Sequence, residues 1–155
     1  MKKIFFLLTV IAFFSACKKD KYTTAPQISF VDIKPNASRV LLSNERDFAP
    51  KLIFKITDAE GDFGTNDPLD SSMIYVKNLL INKLDSFRFP DITGATKKDF
   101  SAEVSLNLFN ALICRFPGPA RPRVDTTYLE FYVRDAKKNK SNVVTSSKPL
   151  YIICD

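Results

Sequence analysis

The chain has 155 residues, enough for one domain of ordinary size once a leader is set aside. Its 23 basic and 17 acidic residues give a net charge of +6. That balance excludes a nucleic-acid surface, because Lys97-Lys98, the Arg115 to Arg123 stretch and the Arg134 to Lys140 stretch form no basic stripe interleaved with aromatics. Histidine and tryptophan are both absent, which removes Ser-His-Asp and Cys-His catalysis, the commonest zinc ligand and the best sugar-stacking ring; no enzymatic role is expected.

Residues 1–16 read as a signal peptide. Met1-Lys2-Lys3 is a short basic leader, and Ile4 to Phe14 is an eleven-residue, largely apolar run. Such a run is too short to cross a bilayer and matches a signal-peptide core. The following Phe14-Ser15-Ala16-Cys17 resembles the lipobox of bacterial lipoproteins, in which the cysteine is diacylated and becomes the first residue. Lys18 behind it resembles the sorting pattern for a Gram-negative outer membrane, with the periplasmic and surface sides both open. Removing residues 1–16 leaves 139 residues with 21 basic against 17 acidic side chains. Residues 17–26, ending Ala25-Pro26, then serve as a lipidated tether, and the membrane is the first expected partner.

From residue 27 onward, alternation of period two dominates. Gln27 to Ile33 and Val40 to Leu42 are short runs of this kind. Leu52, Phe54 and Ile56 alternate with Ile53, Lys55 and Thr57. Residues 72–88 are ambiguous: Met73, Val76, Leu80, Leu84 and Phe87 stand at helical spacing, whereas Ile74, Tyr75 and Val76 favour a strand. A strand over 73–81 is the expectation. Ala102 to Leu108 alternates residue by residue, as does Tyr128 to Arg134, and Val143 to Thr145 and Leu150 to Ile153 complete the series. About seven short strands separated by turn signals predict an immunoglobulin-like antiparallel β-sandwich over 27–155. Of three cysteines, one is assigned to lipid, leaving Cys114 and Cys154 as an even pair for a disulfide in an oxidising compartment.

In that sandwich the acidic run TDAEGDFGTNDPLD, residues 57–70, and the later Asp135 to Ser141 connect strands at the same end. Asp58, Glu60 and Asp62 are spaced i, i+2, i+4, and Gly61 and Gly64 admit backbone conformations that bring carbonyls inward. Calcium takes about six to eight oxygens, so these three acids with Asp135 and Asn139 form a candidate calcium site. It is no EF-hand, since Phe63 stands where that loop needs glycine and no glutamate closes it. Asp67 and Asp70, beside Pro68, suit a turn and a strand start. A plain Asp- and Gly-rich bend whose side chains bond their own backbone accounts for the same residues, and both readings stand at this point.

Phe54-Lys55-Ile56-Thr57-Asp58-Ala59-Glu60-Gly61-Asp62-Phe63-Gly64, with the later Arg134-Asp135-Ala136-Lys137-Lys138-Asn139-Lys140-Ser141-Asn142, resembles a group of small Gram-negative lipoproteins. Those carry one immunoglobulin-like or cadherin-like domain, a D-x-D/E-G-D-x-G loop and a D-x-x-x-N-x-S-N turn. Lys138 stands where that turn has glycine. The resemblance implies a fold and an outer-membrane location and carries no activity. The expected function is therefore a lipid-anchored envelope binding or structural module, meeting a protein or glycan through its loop end. The alternative is an accessory subunit or hydrolase of a glycan-uptake system using the acidic loop.

Overall fold

A computed structural model describes residues 22–64, 71–89 and 98–155. The fold is all-β, with ten strands among the described residues: β1 (Gln27–Lys34), β2 (Ala37–Arg39), β3 (Lys51–Asp58), β4 (Met73–Asn78), β5 (Lys83–Arg88), β6 (Phe100–Asn107), β7 (Arg123–Thr127), β8 (Leu129–Arg134), β9 (Val144–Thr145) and β10 (Leu150–Cys154). These ten pieces lie on about seven passes of the chain, because β2 follows β1 closely, β7 and β8 are parted only by Tyr128, and β9 and β10 only by residues 146–149. The expected all-β sandwich-like architecture is observed.

One sheet has the order β1-β3-β6, with antiparallel pairing on both sides of β3. The opposing layer has the sheet β5-β4-β8-β9, and a third sheet, ordered β2-β10-β7, continues from it where β7 runs into β8 and β9 into β10. The β2–β10 pairing is parallel, and every other strand pair is antiparallel. Alternation drives this arrangement. Leu52, Phe54 and Ile56 of β3 point inward and are fully buried, as are Leu129, Phe131 and Val133 of β8. The two layers meet where the Phe54 and Phe131 rings approach to 5.4 Å. Burying each such side chain is worth about 1.5–3 kcal/mol, so the two inner faces specify the register as well as the stability.

Three expectations need correction. The strand expected over 73–81 ends at Asn78, and the chain turns through residues 79–82, with Asn82 at φ 55°, into β5. The helical spacing of Met73, Val76, Leu80, Leu84 and Phe87 is accidental, since Leu84 is exposed on an edge strand while Val76 is core. The strand expected at Val40 to Leu42 lies earlier, as β2, and the chain then forms a 3-10 turn over Ser43–Phe48. Arg123–Thr127 forms a strand that alternation did not single out.

Candidate functional site

The β3–β4 and β8–β9 connections do meet at one end of the sandwich. Asp58 closes β3, and its Oδ2 accepts the backbone N–H groups of Glu60 (3.1 Å) and Gly61 (2.6 Å), which bends the chain. Gly61 and Gly64 have φ of 61° and 53°, the left-handed region where a side chain is strained. Between them Phe63 turns back into the core, 2% exposed, and stacks on Phe89 with ring centroids 4.7 Å apart. This apolar plug draws the acidic bend down over the open end of the sandwich. Asp58 is fully buried as a consequence, and Glu60 and Asp62 are half-buried.

The second loop is sewn to the first. Ala136 N–H donates to the Asp62 carbonyl at 3.0 Å, and the Ser71 hydroxyl donates to the Ala136 carbonyl at 2.9 Å. Asp135 is fully buried, and Asn139 bonds both of its oxygens, through backbone N–H and side-chain amide, each at 2.7 Å. Lys138 takes the left-handed conformation at φ 71°, so the turn closes without the glycine of the resembled motif. The Ser141 hydroxyl accepts Val133 N–H at 3.0 Å. The Asn142 amide clasps both backbone groups of Ile28, at 2.8 and 2.9 Å, and so ties the two layers together. The D-x-x-x-N-x-S-N residues are thus engaged in closing the fold.

The acidic bend is different, because its charge is not fully met. Asp58 Oδ1, Glu60 Oε2 and both oxygens of Asp62 are buried without a hydrogen-bond partner. Asp62 Oδ2 lies 3.3 Å from Lys137 Nζ, an ion pair without the alignment of a hydrogen bond. That contact and the nearby Glu60 and Asp135 charges raise the Lys137 pKa. Burial pushes the Asp58 carboxyl up to about 6, and the Asp62 and Glu60 charges push the same way against its two N–H bonds. A proton or a divalent cation would each relieve this crowding.

The five expected metal ligands therefore divide. Asp58, Glu60 and Asp62 share one bend with free oxygens, whereas Asp135 and Asn139 bind each other. Among the described residues, the one group of three acidic or cysteine side chains with ligand atoms within 4.8 Å of one another is Cys114, Asp125 and Cys154. Its sulfurs are joined in a disulfide, with Cα atoms 6.1 Å apart, as expected for this pair. Asp125 accepts the Arg115 N–H at 2.7 Å and Arg123 Nε at 3.0 Å, which holds its pKa below the usual range. A divalent ion at the acidic bend would have to draw its carboxylates closer together.

Three residues of this end escaped sequence reasoning: Phe63 as the plug, Lys137 as the internal counter-ion, and Thr23. An apolar ring inside so polar a run was the available signal for Phe63. Nothing local marked Lys137 among its neighbouring lysines. The carbonyl of Thr23 accepts Ala59 N–H at 3.1 Å, which pins the segment before β1 to the acidic bend. Cys17, Asp67 and Asp70 lie outside the described residues.

Beside this end, Ser71, Met73, Tyr75, Tyr132, Arg134 and Lys138 line a shallow groove of about 410 Å³ on the outer face of β4 and β8. Tyr75 and Tyr132 are direct cross-strand partners and stack with centroids 4.7 Å apart. Lys140 Nζ lies 4.1 Å from the Tyr132 ring centre. No family model, no curated protein and no solved structure matches this chain.

Proposed function

We propose that this chain is a lipid-anchored module of the Gram-negative cell envelope, a non-enzymatic binding or structural domain held at the outer membrane through Cys17. The observation that carries the reading is the order of its first residues. A basic leader, an eleven-residue apolar run and Phe14-Ser15-Ala16-Cys17 are followed within ten residues by the first strand of the domain. A disulfide between Cys114 and Cys154 supports export, because such bonds persist in oxidising compartments. The parallel β2–β10 edge and the seven passes support an immunoglobulin-type sandwich. The unpartnered oxygens of Asp58, Glu60 and Asp62 support a cation-stabilised loop end, with calcium as the ion whose irregular oxygen coordination suits such a bend.

Cys17→Ser tests the anchor. Cells fed labelled palmitate are expected to label the wild-type chain, while the variant stays unlabelled and accumulates as precursor or soluble protein. Palmitate entering the variant chain would remove the lipoprotein reading.

A further inference from the structure

We propose that Cys114, Cys154 and Asp125 form a zinc site once their disulfide is reduced, so that a metal ion and the disulfide are alternative cross-links at one place. Two sulfurs and one carboxylate oxygen supply three ligands, and water completes a tetrahedron.

The strand register builds one edge of that tetrahedron. Asp125 of β7 pairs with Ile152 and Arg123 with Cys154, so Asp125 and Cys154 are diagonal neighbours on the inner face, 7% and 1% exposed. Zinc bonds of about 2.3 Å to sulfur and about 2.0 Å to oxygen set the two ligand atoms about 3.5 Å apart. Cys154 Sγ and Asp125 Oδ2 already stand at 3.6 Å, and ligand atoms of all three residues lie within 4.8 Å of one another. The second sulfur has to leave its partner and stand about 3.8 Å from it. Cys154 is fixed in a strand flanked on both sides, whereas Cys114 is half-buried at the start of a loop. Cys114 therefore makes the move, and its exposure gives the metal a route in.

Charge favours a divalent ion here. Two thiolates and the carboxylate carry three negative charges, which zinc and the Arg123 guanidinium balance, as a buried site requires. Arg123 does not depend on Asp125 alone for its place. Its two terminal nitrogens donate to the carbonyls of Pro119 at 2.6 Å and Arg115 at 2.7 Å. Gly118 leaves room for it, since a Cβ there would meet the guanidinium at 2.8 Å. Arg123 Nε holds Asp125 Oδ1 at 3.0 Å and leaves Oδ2 to turn to the metal. A cation this close also favours the thiolate, the form that binds metal, and thiolates select zinc over calcium or magnesium.

Opening the bond takes two electrons and two protons. A water-soluble phosphine supplies them together with water, leaving as its oxide and giving a thiol on each cysteine. Zinc then displaces the two thiol protons to solvent.

The test uses the mature chain from residue 17 carrying Cys17→Ser, which has no third thiol, and cobalt(II) as the spectroscopic stand-in for zinc. Reduced with phosphine, it is expected to bind one cobalt per chain. The signature is the near-ultraviolet thiolate-to-cobalt band with the intense visible bands of a tetrahedral site, both bleached by zinc. The oxidised chain is expected to show neither. Micromolar zinc, too dilute for the acidic bend, is expected to raise the melting temperature of the reduced chain and leave that of the oxidised chain unchanged. Asp125→Asn is expected to weaken cobalt binding at least about 10-fold, since even groups outside the ligand shell act on that scale. If Asp125→Asn does not fold, zinc-edge X-ray absorption of the reduced parent decides. Two sulfurs at about 2.3 Å with oxygen at about 2.0 Å support the site, and four sulfurs, a metal shared between chains, overturn it. A reduced chain without the thiolate-to-cobalt band, or folded Asp125→Asn binding as tightly as the parent, overturns it as well.

Discussion

Replacing both Cys114 and Cys154 with serine is expected to lower the unfolding free energy of the domain by about 4 kcal/mol. The bond joins residues 40 apart in sequence, and closing a loop of that length removes much of the unfolded chain's freedom. It also secures β10, which lies between β2 and β7. Asp125 adds to the effect: its carboxylate sits beside both sulfurs and organises Arg115 and Arg123, so a loosened β10 disturbs that network as well. The melting temperature should fall by roughly 10–20 °C, read by circular dichroism on the oxidised wild type and the double variant. Equal melting temperatures would show that the fold alone holds the last strand.

Asp58 gives the second large effect, and its sign is unusual for a carboxylate. Burial raises its folded pKa to about 6, whereas an unfolded aspartate titrates near 3.9. The folded state holds the proton more tightly, so this stabilising contribution is fully present below about pH 4 and is lost as pH rises through about 6. Two pKa units amount to about 2–3 kcal/mol, the lower figure allowing for solvent near the loop end. Asp32, held at about 2 chiefly by Lys148, and Asp125 act the other way, but their contributions disappear only in more acidic solution. Between pH 5 and 7 the domain should therefore become less stable as pH rises. Asp58→Asn keeps an acceptor for the Glu60 and Gly61 N–H groups while removing the charge. It should flatten that slope and stabilise the domain at pH 8 by about 2 kcal/mol. Denaturant unfolding at pH 5, 6, 7 and 8 measures both, and a wild-type curve that is flat or rising over this window would refute the assignment.

A calcium ion at the bend would compete with the proton for the same oxygens, which makes the cation reading testable in the same experiment. At pH 8 and about 1 mM calcium, a dissociation constant of about 0.1 to 1 mM adds about 0.4–1.4 kcal/mol. At pH 5 the gain should shrink, and in Asp58→Asn it should vanish. Magnesium should act less, because it tolerates irregular coordination poorly. No calcium response at pH 8 would leave Lys137 and the Asp58 proton as the only relief for the bend.

Much of this molecule is legible in its sequence. Alternation placed β3, β6 and β8 because each has one face in the core, where every second residue must be apolar. Setting Cys17 aside as the expected lipid site left Cys114 and Cys154 as a pair, and the chain order predicted that the two polar loops would meet. Other features depended on tertiary contacts. β5 is an edge strand largely open to solvent, so nothing forces its pattern to alternate, and the turn before it, Leu79-Leu80-Ile81-Asn82, lacks the glycine or proline that marks a turn. β2 is three residues held by backbone pairing to β10, an interaction that leaves no trace in side-chain choice. The burial of Asp58 was decided in the same way. Five carboxylates in fourteen residues read equally as a calcium site and as a plain bend, yet Phe63 finds its partners in Phe89 and Phe100, distant in sequence. That packing pulls Asp58 out of water and leaves the lysines outside, because a side chain's exposure is set by what covers it in space.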